Sequence, residues 1–135
     1  MAFTGNFTCN SFKSGLIDGD FDFDTDTFKI ALYTNSASLN AETAAYTTSG
    51  EVVGSGYTAG GNTLTVSKGI TGGTAFITFT DTSWSAAITA RGALIYKDSG
   101  AAVCVLDFGS DKTSTTTFTV DFPVASSTDA LIRLS

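Results

Sequence analysis

Short apolar runs with a two-residue period, separated by Gly, Ser and Asp, are the feature that most constrains the fold of this chain. In TFKIALYT (27–34), TAFITFT (74–80) and TTTFTVDF (115–122), large apolar residues fall at every second position. Successive side chains of a β-strand point to opposite faces, so this period predicts strands. About seven or eight such runs occur, and no long stretch has a helical period. The pattern predicts an all-β fold, an antiparallel β-sandwich.

Further strands are predicted in NTLTVSK (62–68) and ALIRLS (130–135), and a hairpin joins AITARGALIYK (87–97) to AVCVLDFG (102–109). The hairpin turn KDSGA contains Gly100, which can adopt positive φ.

One short helix is expected near the start, in CNSFKSGLI. Asn10 or Ser11 offers an N-cap, and Phe12, Leu16 and Ile17 are placed on one side. At two turns, it needs tertiary packing to be stable.

The chain of 135 residues is expected to form a single domain, 1–135. Residues 1–26 form an N-terminal arm or lead-in, and residues 35–61 a long loop-rich segment, with one possible helical turn in LNAETAAY and a short strand in EVVG. The arm, Met1–Lys13, and the loop, Asn35–Gly61, are the predicted contact surfaces, because termini and long loops reach neighbouring molecules. The candidate contact residues in these segments are Phe3, Phe7, Tyr46, Glu51 and Tyr57.

The charge distribution argues against nucleic acid as a partner. The net charge is −6, and the seven Lys and Arg residues are scattered singly. Tight binding to a phosphate backbone needs clustered cations. The acidity favours solubility and a partner with a basic surface. No apolar run approaches the roughly 20 residues of a membrane helix, and the N-terminus lacks the pattern of a secretory signal. Reduced thiols are therefore the default expectation for Cys9 and Cys104, with one disulfide between them as an alternative that their spacing does not support.

The residue types argue against an enzyme. The chain has no histidine, which removes the commonest general base and transition-metal ligand. Zinc would need Cys9, Cys104 and carboxylates without paired-ligand spacing. GSGYTAGG (54–61) lacks the Lys-Ser/Thr ending of a phosphate-binding loop. We expect no catalytic, metal or cofactor site, with an aspartate-based hydrolase of carbohydrates as the rival hypothesis.

Five aspartates occupy every second position from Asp18 to Asp26. No register of this run places glycine at position six and glutamate at position twelve of a calcium loop. In an extended chain, Phe21 and Phe23 would point into the core and the aspartates outward. A solvated acidic face is therefore predicted, with a basic groove on a partner and an adventitious divalent cation as open alternatives.

Several blocks together resemble small structural proteins of tailed bacteriophages. They are CNSFKSGL, DTFKIALYTNSASLNAETAAYTTSGEVVGSGYTAGG, TARGALIYKDSGAAVCVLDFGSDK and TFTVDFP, in this order from Cys9 to Pro123. The resemblance implies a virion protein without enzymatic activity and a β-sandwich, jelly-roll-like fold. It also implies a capsid cement or decoration protein on the capsid surface, assembled in the bacterial cytoplasm. The expected partners are the major capsid protein and further copies in a homotrimer. A tail, fibre or receptor-binding subunit is the alternative.

Overall fold

The computed structural model describes residues 3–135 and has an antiparallel, sandwich-like all-β fold with one short helix, which confirms the predicted fold class. The elements of the described residues follow in chain order: β1 (Phe7–Thr8), α1 (Asn10–Asp18), β2 (Phe28–Tyr33), β3 (Asn62–Leu64), β4 (Val66–Thr71), β5 (Thr74–Phe79), β6 (Thr82–Trp84), β7 (Thr89–Lys97), β8 (Ala102–Thr113), β9 (Phe118–Val120) and β10 (Ile132–Leu134).

The strands form three antiparallel sheets. The largest has the order β1-β8-β7-β2-β3, the second β10-β5-β4, and the third pairs β6 with β9. The predicted hairpin is confirmed as β7 and β8, with Gly100 at φ +112° in the turn. Strand β2 lies between β7 and β3, and every residue from Ile30 to Tyr33 is buried. An apolar strand covered on both faces and paired on both edges is the centre of the core.

Two short strands were not predicted, and one predicted strand is divided. NTLTVSK pairs through β3 with β2 and through β4 with β5, so one run serves two sheets. The unpredicted strands are β1, which pairs with β8, and β6, which pairs with β9. Strands of two or three residues are too short to show a period, and distant partners stabilise them.

Helix α1 differs from its prediction in both its cap and its buried face. Cys9 occupies the N-cap position without a side-chain hydrogen bond, so neither Asn10 nor Ser11 caps the helix. Phe12 is buried, but 88% of Ile17 is exposed. Five positions along a helix rotate a side chain by about 140°, which turns Ile17 away from the face of Phe12. The helix ends at Gly19, which has the left-handed conformation that favours glycine.

The predicted burial is confirmed for Phe21, whereas Phe23 is half-buried, and both rings pack in an aromatic cluster with Phe12 and Phe28. Phe21 packs edge-on against Phe12 with ring centroids 4.8 Å apart, and Phe23 stacks on Phe28 at 4.5 Å. Gly15 leaves room for this cluster, since a Cβ there would lie 2.7 Å from Cε2 of Phe21. The cluster packs the residues that precede β2 against α1.

The N-terminal segment is part of the folded body and not a free arm. Phe3 is 1% exposed, and the guanidinium carbon of Arg91 lies 6.0 Å from its ring centroid. The backbone N–H of Cys9 donates to the carbonyl of Val103, and β1 adds to the edge of β8. Met1 and Ala2, which the predicted contact arm included, lie outside the described residues.

Candidate functional site

The long segment 35–61 runs along an edge of β2 that β3 leaves open. The N–H of Val52 donates to the carbonyl of Leu32 at 2.9 Å, and the N–H of Leu32 donates to the hydroxyl of Tyr57 at 2.9 Å. The segment therefore satisfies backbone groups that would otherwise be unpaired at a buried edge. EVVG, predicted to be a short strand, contributes the isolated bridge between Tyr33 and Glu51.

A non-helical turn forms in LNAETAAY, where one helical turn was possible from the sequence. The side-chain oxygen of Asn40 accepts a hydrogen bond from the N–H of Glu42, and the backbone carbonyl of Asn40 accepts one from the N–H of Thr43. An Asn side chain that binds backbone two residues ahead favours a turn over a helix.

Glu51 is a buried carboxylate at the centre of this segment. It is 6% exposed and accepts three hydrogen bonds: from the Tyr46 hydroxyl at 2.5 Å, the Tyr57 hydroxyl at 2.7 Å and the backbone N–H of Gly60 at 2.8 Å. A buried charge is tolerated when such donors replace the water that it loses. Gly61 lets the chain pass β2 closely, because a Cβ there would lie 1.8 Å from the carbonyl oxygen of Ile30.

All four tyrosines of the chain belong to this network, which we call the Glu51 cluster. The Tyr33 hydroxyl donates to the carbonyl of Thr47, and the Tyr96 hydroxyl donates to that of Gly60, both at 2.6 Å. The Tyr46 ring stacks on the Tyr96 ring, with centroids 4.7 Å apart.

The Glu51 cluster also keeps its hydroxyls protonated. Burial, with the Glu51 charge as a further cause, raises the pKa of Tyr96 to about 12. The same causes raise the pKa of Tyr33, Tyr46 and Tyr57 further. Neutral hydroxyls that donate to a carboxylate and to carbonyls form a rigid support, which fixes segment 35–61 against the sheet.

The predicted contact residues lie mainly inside the folded chain, and their role as contacts with a partner stays a prediction. Phe3, Glu51 and Tyr57 are buried, and Phe7 and Tyr46 are half-buried. Phe3 and Tyr57 fill the core, and Glu51 holds the loop through its hydrogen bonds, although none of the three lies in a run with the two-residue period of a strand.

Asp18 is the last residue of α1, and Asp22 to Asp26 form a compact turn instead of the extended lead-in that the alternation predicted. Oδ1 of Asp22 accepts from the N–H groups of Asp24 and Thr25, and Oδ2 of Asp26 accepts from the N–H of Asp22. The hydrogen bond from Asp24, followed by those from Thr25, lowers the pKa of Asp22. A short carboxylate that binds nearby backbone overrides the two-residue pattern.

Lysines of the same chain neutralise part of this acidic turn. Lys68 lies 2.7 Å from a carboxylate oxygen of Asp24, and Lys97 lies 3.4 Å from one of Asp26. Lys97 also donates to the carbonyl of Asp20 at 2.6 Å. Intramolecular pairing therefore reduces the charge that the turn presents to a partner.

The two cysteines are buried and free in the structure. Burial raises the pKa of Cys9 to about 11, so its thiol is protonated at neutral pH. Within residues 3–135, no three acidic or cysteine side chains converge as a possible metal site.

An apolar groove, which we call the α1–β10 groove, opens between the helix and the last strand. Its volume is about 580 Å³. Two of its residues are strongly exposed, with 88% of Ile17 and 53% of Leu134 accessible. Its main lining side chains are Phe12, Lys13, Leu16, Ile17, Arg133 and Leu134. The sequence offered one usable signal for this groove: the helical rotation that separates Ile17 from Phe12.

Comparison with known proteins returned no match to any family model, to any curated protein or to any solved structure. In the part of the chain that the structure describes, no helix has the length and apolar character needed to cross a bilayer.

Proposed function

We propose that this chain is a non-enzymatic structural protein of a tailed-phage virion, a cement protein that binds the major capsid protein shell. The ordered sequence blocks from Cys9 to Pro123 carry the proposal. In the fold, these blocks supply α1, the central strand β2, the Glu51 cluster and the β7–β8 hairpin. The resemblance thus covers the helix, the centre of the largest sheet and β9, leaves out β1, β3, β4, β5, β6 and β10, and does not depend on a local motif.

The use of polar side chains supports a scaffold role. The carboxylate of Glu51 has three donors, and each tyrosine hydroxyl donates to a protein acceptor. A rigid surface loses little conformational entropy on binding, which favours association.

A cement protein acts by linkage and avidity. A protein that binds the assembled shell, and not its dissociated subunits, stabilises the shell by mass action. A homotrimer, as the resemblance implies, would combine three weak contacts into one strong attachment. The protein would then be located on the outer surface of the virion, after assembly in the bacterial cytoplasm.

Immunogold labelling of particles of the phage that encodes the chain tests this proposal. Antibodies against the purified protein are expected to label the capsid over its whole surface. Label confined to the tail would replace the cement function with that of a tail or fibre subunit. Absence of label from particles, or a coding sequence outside any phage or prophage genome, would overturn the virion assignment.

A further inference from the structure

Two independent surface features converge on the α1–β10 groove. Ile17 and Leu134 are two of the five large apolar residues that are strongly exposed in residues 3–135, the others being Val53, Ile70 and Val124. Single exposed apolar residues are ordinary, but a groove that groups them with further apolar lining is typical of a binding surface.

The second feature is charge. Four of the seven cations form ion pairs with aspartates of the chain, and in the described part of the structure Lys13, Lys112 and Arg133 form none. Lys13 and Arg133 both line the groove, and no carboxylate does. On a chain of net charge −6, this groove is a locally cationic, apolar site.

We propose that the α1–β10 groove binds a segment of a partner protein that presents apolar side chains flanked by carboxylates. The inference rests on the proposed function, because the shell protein is the partner that it concerns. The apolar side chains of the segment would cover Ile17 and Leu134, and its carboxylates would pair with Lys13 and Arg133. This is the mode in which an amphipathic segment enters a groove.

The cations of the groove favour an acidic partner segment, although the net charge of the chain alone would favour a basic partner. Net acidity favours a basic partner, but beyond roughly 8 Å salt at physiological strength screens exposed charges. The charges at the contact therefore decide recognition. In the acidic turn, Asp24 and Asp26 are already paired with Lys68 and Lys97.

Binding to assembled shells of the encoding phage, measured by co-sedimentation, tests whether the exposed apolar residues of the groove contact the partner. Ile17→Asp and Leu134→Asp are expected to weaken binding roughly tenfold or more. Val53→Asp and Ile70→Asp are matched controls, since both residues are exposed and outside the groove. Thermal melting of each variant verifies folding. Binding that survives in the groove variants and fails in the controls would overturn the inference.

The charge part has its own matched control. Lys13→Glu combined with Arg133→Glu should weaken binding to a measurable residual level, whereas Lys112→Glu, at the third cation without an ion pair, should leave binding unchanged. Equal effects would show a general response to charge and would contradict the groove. Added salt should weaken binding of the wild-type protein more than that of the double variant.

A probe independent of the shell separates this inference from the proposed function. Amide NMR signals are followed while a short synthetic helical peptide is added, with leucines on one face and glutamates on the other. Signals of Ile17 and Leu134 are expected to shift, and the same peptide with lysines in place of glutamates should leave them unchanged. Failure of the wild-type protein to bind shells, with this response intact, would refute only the cement function.

Equal responses to both peptides, or none, would refute the groove. Sedimentation equilibrium gives the remaining outcome. If Ile17→Asp and Leu134→Asp convert an oligomer to monomers, the occupant is a second copy of this chain, and the inference of a foreign segment is overturned.

Discussion

Replacing Glu51 by glutamine tests whether the Glu51 cluster holds segment 35–61. The substitution keeps the shape of the side chain and removes its charge. A hydrogen bond to a charged group contributes about 1.5–3 kcal/mol, against about 0.5–1.5 kcal/mol for a neutral one. Glu51 accepts three such bonds, so we expect the free energy of unfolding to fall by about 2–3 kcal/mol, after partial relief of charge desolvation. For a domain of this size, that corresponds to roughly 10 °C in melting temperature.

Urea denaturation followed by tryptophan fluorescence measures this loss directly. Trp84 is the single tryptophan, is buried, and lies with its ring centroid 6.0 Å from that of Tyr57, so it reports on the cluster. Glu42→Gln is the matched control, because Glu42 is the other glutamate and is exposed. We expect the control to remain within about 0.5 kcal/mol of the wild type. Equal stability of the two variants would refute the reasoning.

A double-mutant cycle apportions the effect between partners. Tyr57→Phe removes one donor to Glu51 and the acceptor for the N–H of Leu32. Because the two side chains share a hydrogen bond, the combined loss in Glu51→Gln/Tyr57→Phe should be smaller than the sum of the single losses by about 1 kcal/mol. Additive losses would show that the bond contributes nothing specific.

Three further predictions concern pH, the helix and the N-terminal segment. Unfolded tyrosines ionise near pH 10, whereas the pKa of Tyr96 is about 12 in the folded protein, so the stability that Tyr96 contributes is complete below about pH 10 and is lost as the pH rises to about 12. Tyr96→Phe should therefore reduce the alkaline fall in unfolding free energy by about 1.4 kcal/mol per pH unit. An unchanged slope would contradict this prediction. Gly15→Ala should lower the unfolding free energy by about 1 kcal/mol, because the added Cβ would meet the ring of Phe21 and this clash outweighs the better helix propensity of alanine. The control Ser14→Ala, on the exposed face of the helix, should be close to neutral. A Gly15→Ala variant that is more stable than the wild type would refute the steric argument. Phe3→Ala should lower the free energy of unfolding, measured by urea denaturation, by about 3 kcal/mol. Thr4→Ala, at an exposed position, should lower it by less than about 0.5 kcal/mol. Similar values for the two variants would mean that the N-terminal segment is a loose arm.

The strands that could be predicted from sequence are those with enough residues to show a period. Strand β2, strand β5 and the β7–β8 hairpin fall within one or two residues of their predicted starts, because alternating or continuous apolar character reflects burial. Strands β1 and β6 could not be predicted, since each is defined by a partner far along the chain. The extended chain predicted for the aspartate run was wrong, because the side chain of Asp22 accepts hydrogen bonds from the backbone of Asp24 and Thr25. A two-residue pattern of apolar and polar residues carries no information about such local hydrogen bonds.

The candidate site was harder to predict, because its parts meet only in the fold. The donors to Glu51 come from Tyr46, Tyr57 and Gly60, at spacings that form no known motif. The α1–β10 groove joins residues from opposite ends of the chain, such as Lys13 and Arg133. Sequence alone could show that Ile17 leaves the buried face of the helix, but not that Leu134 lies across a groove from it.

The thermal stability of the shell tests the central claim most directly. Shells assembled without this protein are heated in a calorimeter, alone and with increasing amounts of the purified chain. A cement protein is predicted to raise the melting temperature of the shell with concentration, approaching about 2.7 kcal/mol of added stability per binding site at one hundred times its Kd. A shell transition that stays unchanged at every concentration, with the added protein still folded, would contradict the account.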